Sequence, residues 1–574
     1  MATKTTKATK TTKANNPDQK LILDTIQEHA VNQKDMVFLT QPQGNGQVVD
    51  YSWGETVDQA RRMAAHLQSM GLGAGSHIAI LSKNCAHFFM AELAIWMAGG
   101  TTVAIFPTEG PDTIRFVLEH SDARLLFVGK LDTWEQQQAG VPADLPCIAL
   151  PLAPSTSFNQ WDDLVARTEP LSGPVRRAAD DLAMIIYTSG STGTPKGAMI
   201  TFSAVSAVGK GYTDDLTPRM AGTDRWRVLS YLPLAHSYER AVIAAPAWHS
   251  GRLHIFFAQS LDTFLADLNR ARPNLFLSVP RLWLKFQQGV LAKMPAKRLN
   301  LLLGLPIIGK LIGRKVLTGL GLDQVQLAAS ASAPIPAELI TWYRKLGLNL
   351  FEGYGMTEDF AFSHHSTEQF NAPGYVGIPY EGVEVRIGAG SEILIKSPGQ
   401  MKGYYKRPDL DAESFTEDGF FRTGDMGERN TDGLLKLTGR VKELFKTAKG
   451  KYVAPAPIEN MLNDHPLVEL SIVSGVGQPS AYGMVVLSEH ARPRLKDDAF
   501  RAEVESEMTA LLKRVNGAVA DYERLQMLVI AKEPWSIENG CLTPTMKIKR
   551  SRIEAEVQDK IDSWYSTKGP VLWI

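Results

Sequence analysis

Cysteine is scarce in this chain: only Cys85, Cys147 and Cys541 occur among 574 residues. Three thiols at wide, unpatterned spacing make neither a disulfide framework nor a four-ligand zinc site, so a reducing, cytosolic compartment is the expectation. An excess of charge of one sign is also missing. Lys and Arg total 61, as do Asp and Glu, so no global field draws nucleic acid, and any polyanion has to be held at a local site. Nor is there a run of about eighteen uncharged apolar residues, the length that crosses a bilayer. The best stretches are broken by Lys83, His87 and Glu92, or by Lys310, Arg314 and Lys315. Hydrophobic residues at 44% and charged residues at 21% exclude a mostly disordered, collagen-like or heptad-repeat protein. A chain of this length outgrows one core and is expected to form three or more subdomains.

Residues 1–16 hold two copies of TKTTKA (3–8 and 9–14), four lysines and no acid. With nothing to bury they read as a disordered, solvated tail, and the Ala14-Asn15-Asn16-Pro17 stretch is no apolar signal-peptide core. The segment 299–318, LNLLLGLPIIGKLIGRKVLT, is apolar and basic and broken by Gly and Pro. Such a segment suits a membrane surface, which keeps peripheral membrane contact open. A core-packed helix leading into the next strand is the expectation.

Elsewhere a helical pattern over 55–70 alternates with apolar strands at 78–81, 102–105 and 125–128. That alternation predicts an α/β fold with layered, parallel sheets. Between about 374 and 437, short alternating strands with frequent Gly, such as Glu392-Ile-Leu-Ile-Lys396, predict a more antiparallel module. Beyond Arg440 a short strand region and a helix over 496–515 suffice for a separate small domain.

The most informative segment is LAMIIYTSGSTGTPKGA at 182–198, in which an apolar strand runs into glycines, Ser and Thr hydroxyls and one lysine. Glycines let successive N–H groups point at one anion, hydroxyls add donors, and Lys196 supplies a compact positive charge. This is chemistry for a polyphosphate. A Walker loop, GxxxxGK[ST], is excluded twice: counted from Gly190, Pro195 stands where Gly is needed, and Gly197 stands where Ser or Thr should follow the lysine.

YTSGSTGTPKG resembles the phosphate-binding loop of the adenylate-forming superfamily, which includes acyl-CoA synthetases, firefly luciferase and peptide-synthetase adenylation domains. The resemblance continues in order through YLPLAHSYER (231–240), GYGMTE (353–358), FRTGD (421–425), GRVKELFKT (439–447) and LTPTMKIKR (542–550). It implies a large N-terminal AMP-binding part over 17–440, with several subdomains of layered sheets and helices, and a small mobile α+β lid domain over 441–574. The LPLAHxxER form is more similar to long-chain fatty acyl-CoA synthetases than to luciferases.

Carried over residue by residue, the resemblance gives the phosphate loop to Thr188, Ser189, Gly190, Ser191, Thr192, Gly193 and Lys196. Tyr354 is placed against adenine, Thr357 on the α-phosphate and Glu358 on magnesium. Glu358 suits a hard cation held through one or two carboxylates plus phosphate oxygens. Asp425 can accept from both ribose hydroxyls through charge-assisted bonds, and Arg440 also contacts the nucleotide. His236 is placed near the acyl carboxylate and the phosphates, although its apolar neighbours also fit a satisfied core histidine. Lys547 matches the catalytic lysine; the usual Gly before it is Met546 here, so Lys549 stays open as the alternative. Lys442 matches the hinge. His364 and His365 match no motif and are expected on the surface or a pocket wall.

The activity implied is ATP-dependent conversion of a medium- or long-chain fatty acid, or a similar apolar acid, to acyl-AMP with pyrophosphate release, then transfer to CoA. Magnesium is the implied cofactor, with ATP and CoA as co-substrates. Two alternatives stay open: a fatty acyl-AMP ligase that loads a carrier protein, and a degenerate member acting as a binding module. Acyl chain length depends on pocket side chains outside these motifs, which also say nothing of oligomeric state.

Overall fold

The computed structural model describes residues 20–188, 194–543, 546–567 and 569–574. The proposed tail over 1–16 therefore lies outside the described residues, as do Ser189 to Gly193 of the phosphate loop.

The fold is mixed α/β, with layered sheets in the larger part of the chain. The largest sheet has seven strands, in the order Asn159–Gln160, Cys147–Ala149, Ala123–Val128, His77–Leu81, Thr101–Ile105, Leu182–Thr188 and Lys196–Thr201. All neighbours are parallel except the last two. Its central strands are continuous apolar runs because both faces are covered. One cover, the helix Ala86–Ala98, is buried at every position and ends at Gly99 in the left-handed region, φ 104°. A Cβ there would meet the Ala74 nitrogen at 3.0 Å. The expected helix over 55–70 is Trp53–Ser69, started by a capping box in which Ser52 accepts from Glu55 N–H and Glu55 accepts from Ser52 N–H.

A second sheet pairs Trp226–Ser230, Leu253–Phe257, Val37–Gly44 and Gln47–Ser52. A third runs Leu275–Ser278, Leu327–Ser330 and Leu350–Tyr354 in parallel, then adds the short antiparallel pair His364–His365 and Ile378–Pro379. The antiparallel module expected from the Gly-spaced alternation is a four-stranded meander: Glu384–Ile387, Glu392–Lys396, Phe421–Arg429 and Leu435–Arg440.

The last sheet, Val468–Ser474, Ala481–Leu487, Leu525–Ile530 and Val571–Trp573, buries a separate apolar core on each face. One face is covered by the helix Asp498–Ala518, which starts where the Asp497 carboxylate accepts from Ala499 N–H and runs three residues beyond the expected end. The apolar, basic stretch does not form the expected core-packed helix. It makes two short helices, Ala296–Leu303 and Pro306–Gly319, that bury Leu299 and Leu317 but leave Leu301, Ile307 and Leu311 exposed.

Candidate active site

The site forms where strands of three sheets end. Thr188 closes one strand of the large sheet and Lys196 opens the next, and the register pairs the two residues across the phosphate loop. Thr188 Oγ1 donates to the Lys196 carbonyl at 3.5 Å. Gly197 follows because a Cβ there would meet Ile185 Cγ2 at 2.7 Å and press on the Tyr187 ring. The segment 402–405 zips onto the Lys196 strand: Met199 N–H donates to Gly403, Lys402 N–H to Met199 and Tyr405 N–H to Gly197.

That pairing brings Tyr404 beneath the lysine. The Lys196 ammonium lies 5.5 Å from the centroid of the Tyr404 ring, and Tyr404 Oη donates to Glu358 Oε1 at 2.6 Å. Glu358 sits in the turn Thr357–Asp359, which ties itself down: Asp359 accepts from Met356 N–H at 2.9 Å and is completely enclosed. Burial, with the Glu358 charge adding to it, pushes the Asp359 carboxyl up to about 8. The backbone then reverses through two non-glycine residues in the left-handed region, Phe360 (φ 49°) and Ala361 (φ 55°). Thr357 Oγ1 stands 3.2 Å from Ser237 Oγ.

On the other side of the cleft, antiparallel register sets Asp425 opposite Arg440. Arg440 Nε donates to Asp425 Oδ1 at 2.8 Å and Tyr354 Oη to Asp425 Oδ2 at 2.7 Å, so both carboxylate oxygens are held before any ligand binds. The Asp425 charge holds the Arg440 guanidinium above its ordinary value. Tyr354 is raised well above its own by burial, with Asp425 adding to it.

His236 Nδ1 accepts from Tyr238 N–H at 3.1 Å, which leaves Nε2 as the protonated nitrogen of a neutral ring. Burial, with the nearby Lys547 charge adding to it, holds the imidazole down at about 3. The loop carrying His236 is pinned from behind. Asn84 Oδ1 accepts from Leu234 N–H, Asn84 Nδ2 donates to Leu232 O, and the fully buried Arg240 donates to Leu234 O and to Glu92. The same Asn84 reaches Ser230, which donates to Glu239 at 2.6 Å; burial pushes the Glu239 carboxyl up to about 8.

Lys547 enters the cleft from the C-terminal part of the chain. The residue as a whole is exposed, while its ammonium lies among the charges of Arg440, Asp425 and Glu358. Loss of solvation, with Arg440 adding to it, lowers it from its ordinary value, while Asp425 and Glu358 pull it back. A tight local turn sets its position: Lys547 N–H donates to Thr543 Oγ1 and Thr543 N–H to Lys547 O. Met546 occupies the left-handed region at φ 63°, which accounts for the glycine usual at that place. Lys549 also stands beside this region: its charge acts on Glu109, which shares a small cavity with Thr188 and Phe106, and its N–H donates to Cys541 O. Lys442 is exposed in the turn Val441–Glu443, between the meander and the hairpin Phe445–Lys446/Tyr452–Val453.

Thr188, Lys196, Tyr354, Thr357, Glu358, Asp425, Arg440, His236 and Lys547 thus line one cleft, and Lys442 follows Arg440 by two residues in the exposed turn. The motifs carry no reading of Tyr404, Ser237, Asn84 or Arg240, although Ser237 and Arg240 sit within YLPLAHSYER. His364 and His365 are not surface residues: His364 is buried behind Tyr354, and His365 stacks on Tyr380 with Nδ1 3.3 Å from Asp215. Two salt links tie the helix Pro280–Lys293 to the C-terminal sheet region. Arg281 and Arg492 each meet a different oxygen of Glu469 at 2.6 Å, and Lys285 lies 3.7 Å from Glu489.

The sequence profile of the AMP-binding enzyme family matches residues 26–405, well over half of the chain, and that of the AMP-binding enzyme C-terminal domain matches 443–569. The chain belongs to the AMP-binding enzyme family. Among curated relatives of this AMP-binding enzyme, long-chain-fatty-acid–CoA ligase FadD15 of Mycobacterium bovis is 30% identical over 91% of this chain and 93% of its own. Long chain acyl-CoA synthetase 6, peroxisomal, of Arabidopsis thaliana is 28% identical over 96% of this chain and 87% of its own. Among solved structures, the A-PCP didomain of carboxylic acid reductase from Segniliparus rugosus, in complex with AMP, shares the fold. Its TM-score is 0.79 at 22% identity, over 96% of this chain and 83% of that one. Anthranilate CoA ligase AuaEII, in complex with anthranoyl-AMP, gives 0.75 at 18% identity over 95% and 98%.

Proposed function

We propose that this AMP-binding enzyme activates a medium- or long-chain fatty acid with ATP and passes the acyl group to CoA. The carrying observation is the convergence of Lys196, Glu358, Asp425, Arg440 and Lys547, drawn from separate strands and loops, on one cleft. Relatives named as CoA ligases over nearly the full chain favour CoA over a carrier protein as the acceptor. The intact set of charged residues argues against a degenerate binding module.

A carboxylate is a poor acylating agent because its leaving group would be oxide. Attack on the α-phosphorus of ATP converts it to a mixed anhydride and expels pyrophosphate. Negative charge grows on the phosphate oxygens, where Lys196 and Lys547 stand ready without reorganisation. Asp425, already oriented by Tyr354 and Arg440, would take the ribose hydroxyls, and Thr357 the α-phosphate. His236, neutral with a hydrogen on Nε2, is a donor toward the acyl carboxylate.

The oxygen chemistry at Glu358 fits magnesium. It is one half-buried carboxylate oriented by Tyr404, and magnesium is commonly held by one or two carboxylates together with substrate phosphates. When bound, magnesium would neutralise phosphate charge there.

A thiol then has to reach the anhydride carbonyl where Lys547 now stands. Rotation of the small domain, 441–574, against the large one, 17–440, about Lys442 would clear it. The exposed turn at Lys442 suits a hinge, since a few residues at the end of an element absorb such a change. The free thiols fit a reducing compartment.

The test is to follow pyrophosphate, AMP and thioester with a fatty acid panel, with and without CoA. Acid-dependent pyrophosphate release and CoA-dependent thioester support the reading. Adenylate that CoA does not discharge and a carrier protein does would replace it with the carrier-loading alternative.

A further inference from the structure

The two helices Ala296–Leu303 and Pro306–Gly319 form a projecting hairpin between strands Leu275–Ser278 and Leu327–Ser330. The inner face of the second helix is set by glycine. A Cβ on Gly309 would meet Leu303 O at 2.4 Å, and one on Gly313 would meet Leu346 O at 2.5 Å. With Leu317 buried a turn further on, this i, i+4, i+8 stripe seats the helix against its neighbours.

The opposite side is apolar yet uncovered. Relative exposure is 71% for Leu301, 76% for Ile307 and 64% for Leu311, with Leu305 and Ile308 also exposed. Five large apolar side chains exposed within eleven residues make a patch of the kind that monomeric proteins rarely leave to water. Lys293, Lys297, Arg298, Lys310, Arg314 and Lys315 are all exposed around it, and the stretch 293–322 contains no acid. Arg272, Arg281 and Lys285, just outside the hairpin, each face a carboxylate. None of the six cations does so among the described residues.

We propose that this hairpin docks on an anionic lipid bilayer, with Leu301, Ile307 and Leu311 entering the acyl boundary and the six cations at headgroup level. Charge complementarity selects this occupant. A second copy of the chain would bring six cations against six, whereas an anionic leaflet supplies the missing acids. Only the benefit to turnover rests on the fatty-acid reading above: the membrane is where an apolar acid partitions, and docking would shorten its path to the cleft.

The experiment is co-sedimentation of the full chain with vesicles of phosphatidylcholine alone or with about one-third phosphatidylglycerol. The variants are Lys310→Glu/Arg314→Glu/Lys315→Glu and Ile307→Ser/Leu311→Ser. The wild type should sediment with the anionic vesicles and release as salt is raised. Charge reversal should cut partitioning on the order of 100-fold and the serine pair roughly tenfold. Both variants should keep wild-type turnover on a short, water-soluble acid and lose it selectively on vesicle-borne fatty acid. The lysines of residues 1–16 are common to every variant, so the contrast between variants carries the test. Equal partitioning of all three proteins, or no sedimentation of the wild type with anionic vesicles at low salt, overturns the proposal. So does a wild-type dimer without lipid that the serine pair makes monomeric. Loss of all turnover in the wild type would instead overturn the fatty-acid reading and leave the docking result standing.

Discussion

Replacing Tyr404 by Phe removes one oxygen and leaves the ring, which separates two contributions that meet at this residue. The lost bond is the 2.6 Å donation to Glu358 Oε1. A hydrogen bond to a charged group contributes about 1.5–3 kcal/mol. Glu358 is half-buried, so water can replace the donor in part, and the lower end of that range applies. Adenylation, read as kcat/KM for acid-dependent pyrophosphate release, should therefore fall roughly tenfold, with half-saturation moved to higher magnesium. The ring beneath Lys196 survives in the Phe variant and is lost in Tyr404→Ala. That change should cost a further ~1 kcal/mol through the lost cation–π contact, with no further shift in the magnesium midpoint. Unchanged kcat/KM and an unchanged magnesium midpoint in Tyr404→Phe would refute the positioning role.

Asp425→Ala removes the acceptor already held by Tyr354 and Arg440. It should raise the apparent KM for ATP by roughly two orders of magnitude, about 3 kcal/mol, and reduce discrimination between ATP and dATP. Steady-state kinetics with both nucleotides check this. Because the His236 pKa is depressed to about 3, the ring stays neutral throughout pH 5–8. The pH–rate profile of adenylation should then lack a rising limb near the ordinary histidine value, and a limb there that His236→Gln abolishes would contradict the assignment. On the alkaline side, Lys547 has to be protonated to act. Its lowered pKa means pyrophosphate release declines as pH rises through a value below that of an ordinary lysine. Arg240→Ala strands the buried Glu92 carboxylate and should destabilise the fold by about 3–5 kcal/mol, whereas Arg240→Met with Glu92→Leu should recover most of that in a denaturant titration.

The layered α/β architecture was legible because buried parallel strands are written as unbroken apolar runs, and the meander because Gly and alternation mark its turns. The active-site cleft was legible through ordered motifs, yet the motifs do not state who touches whom. Asp425 and Arg440 are fifteen residues apart in sequence and meet through strand register. Tyr404 reaches Glu358 only because segment 402–405 zips onto the Lys196 strand. Asn84, far from every motif, holds the His236 loop by two backbone bonds. The hairpin at 296–319 was misread for a different reason. Apolar residues surround its helices on all sides, so periodicity could not tell the face seated by Gly309 and Gly313 from the face left open.

The central claim is that one cleft, rearranged about Lys442, carries out two half-reactions, and Lys547 and Lys442 test it together. Measure pyrophosphate release from ATP and acid, and separately thioester formation from supplied acyl-AMP and CoA, for Lys547→Ala and Lys442→Pro. Lys547→Ala should lose pyrophosphate release by on the order of 10²–10³ while making thioester from acyl-AMP at close to the wild-type rate. Lys442→Pro, with φ fixed at the turn, should adenylate but fail to form thioester. Loss of the same half-reaction in both variants would contradict the account.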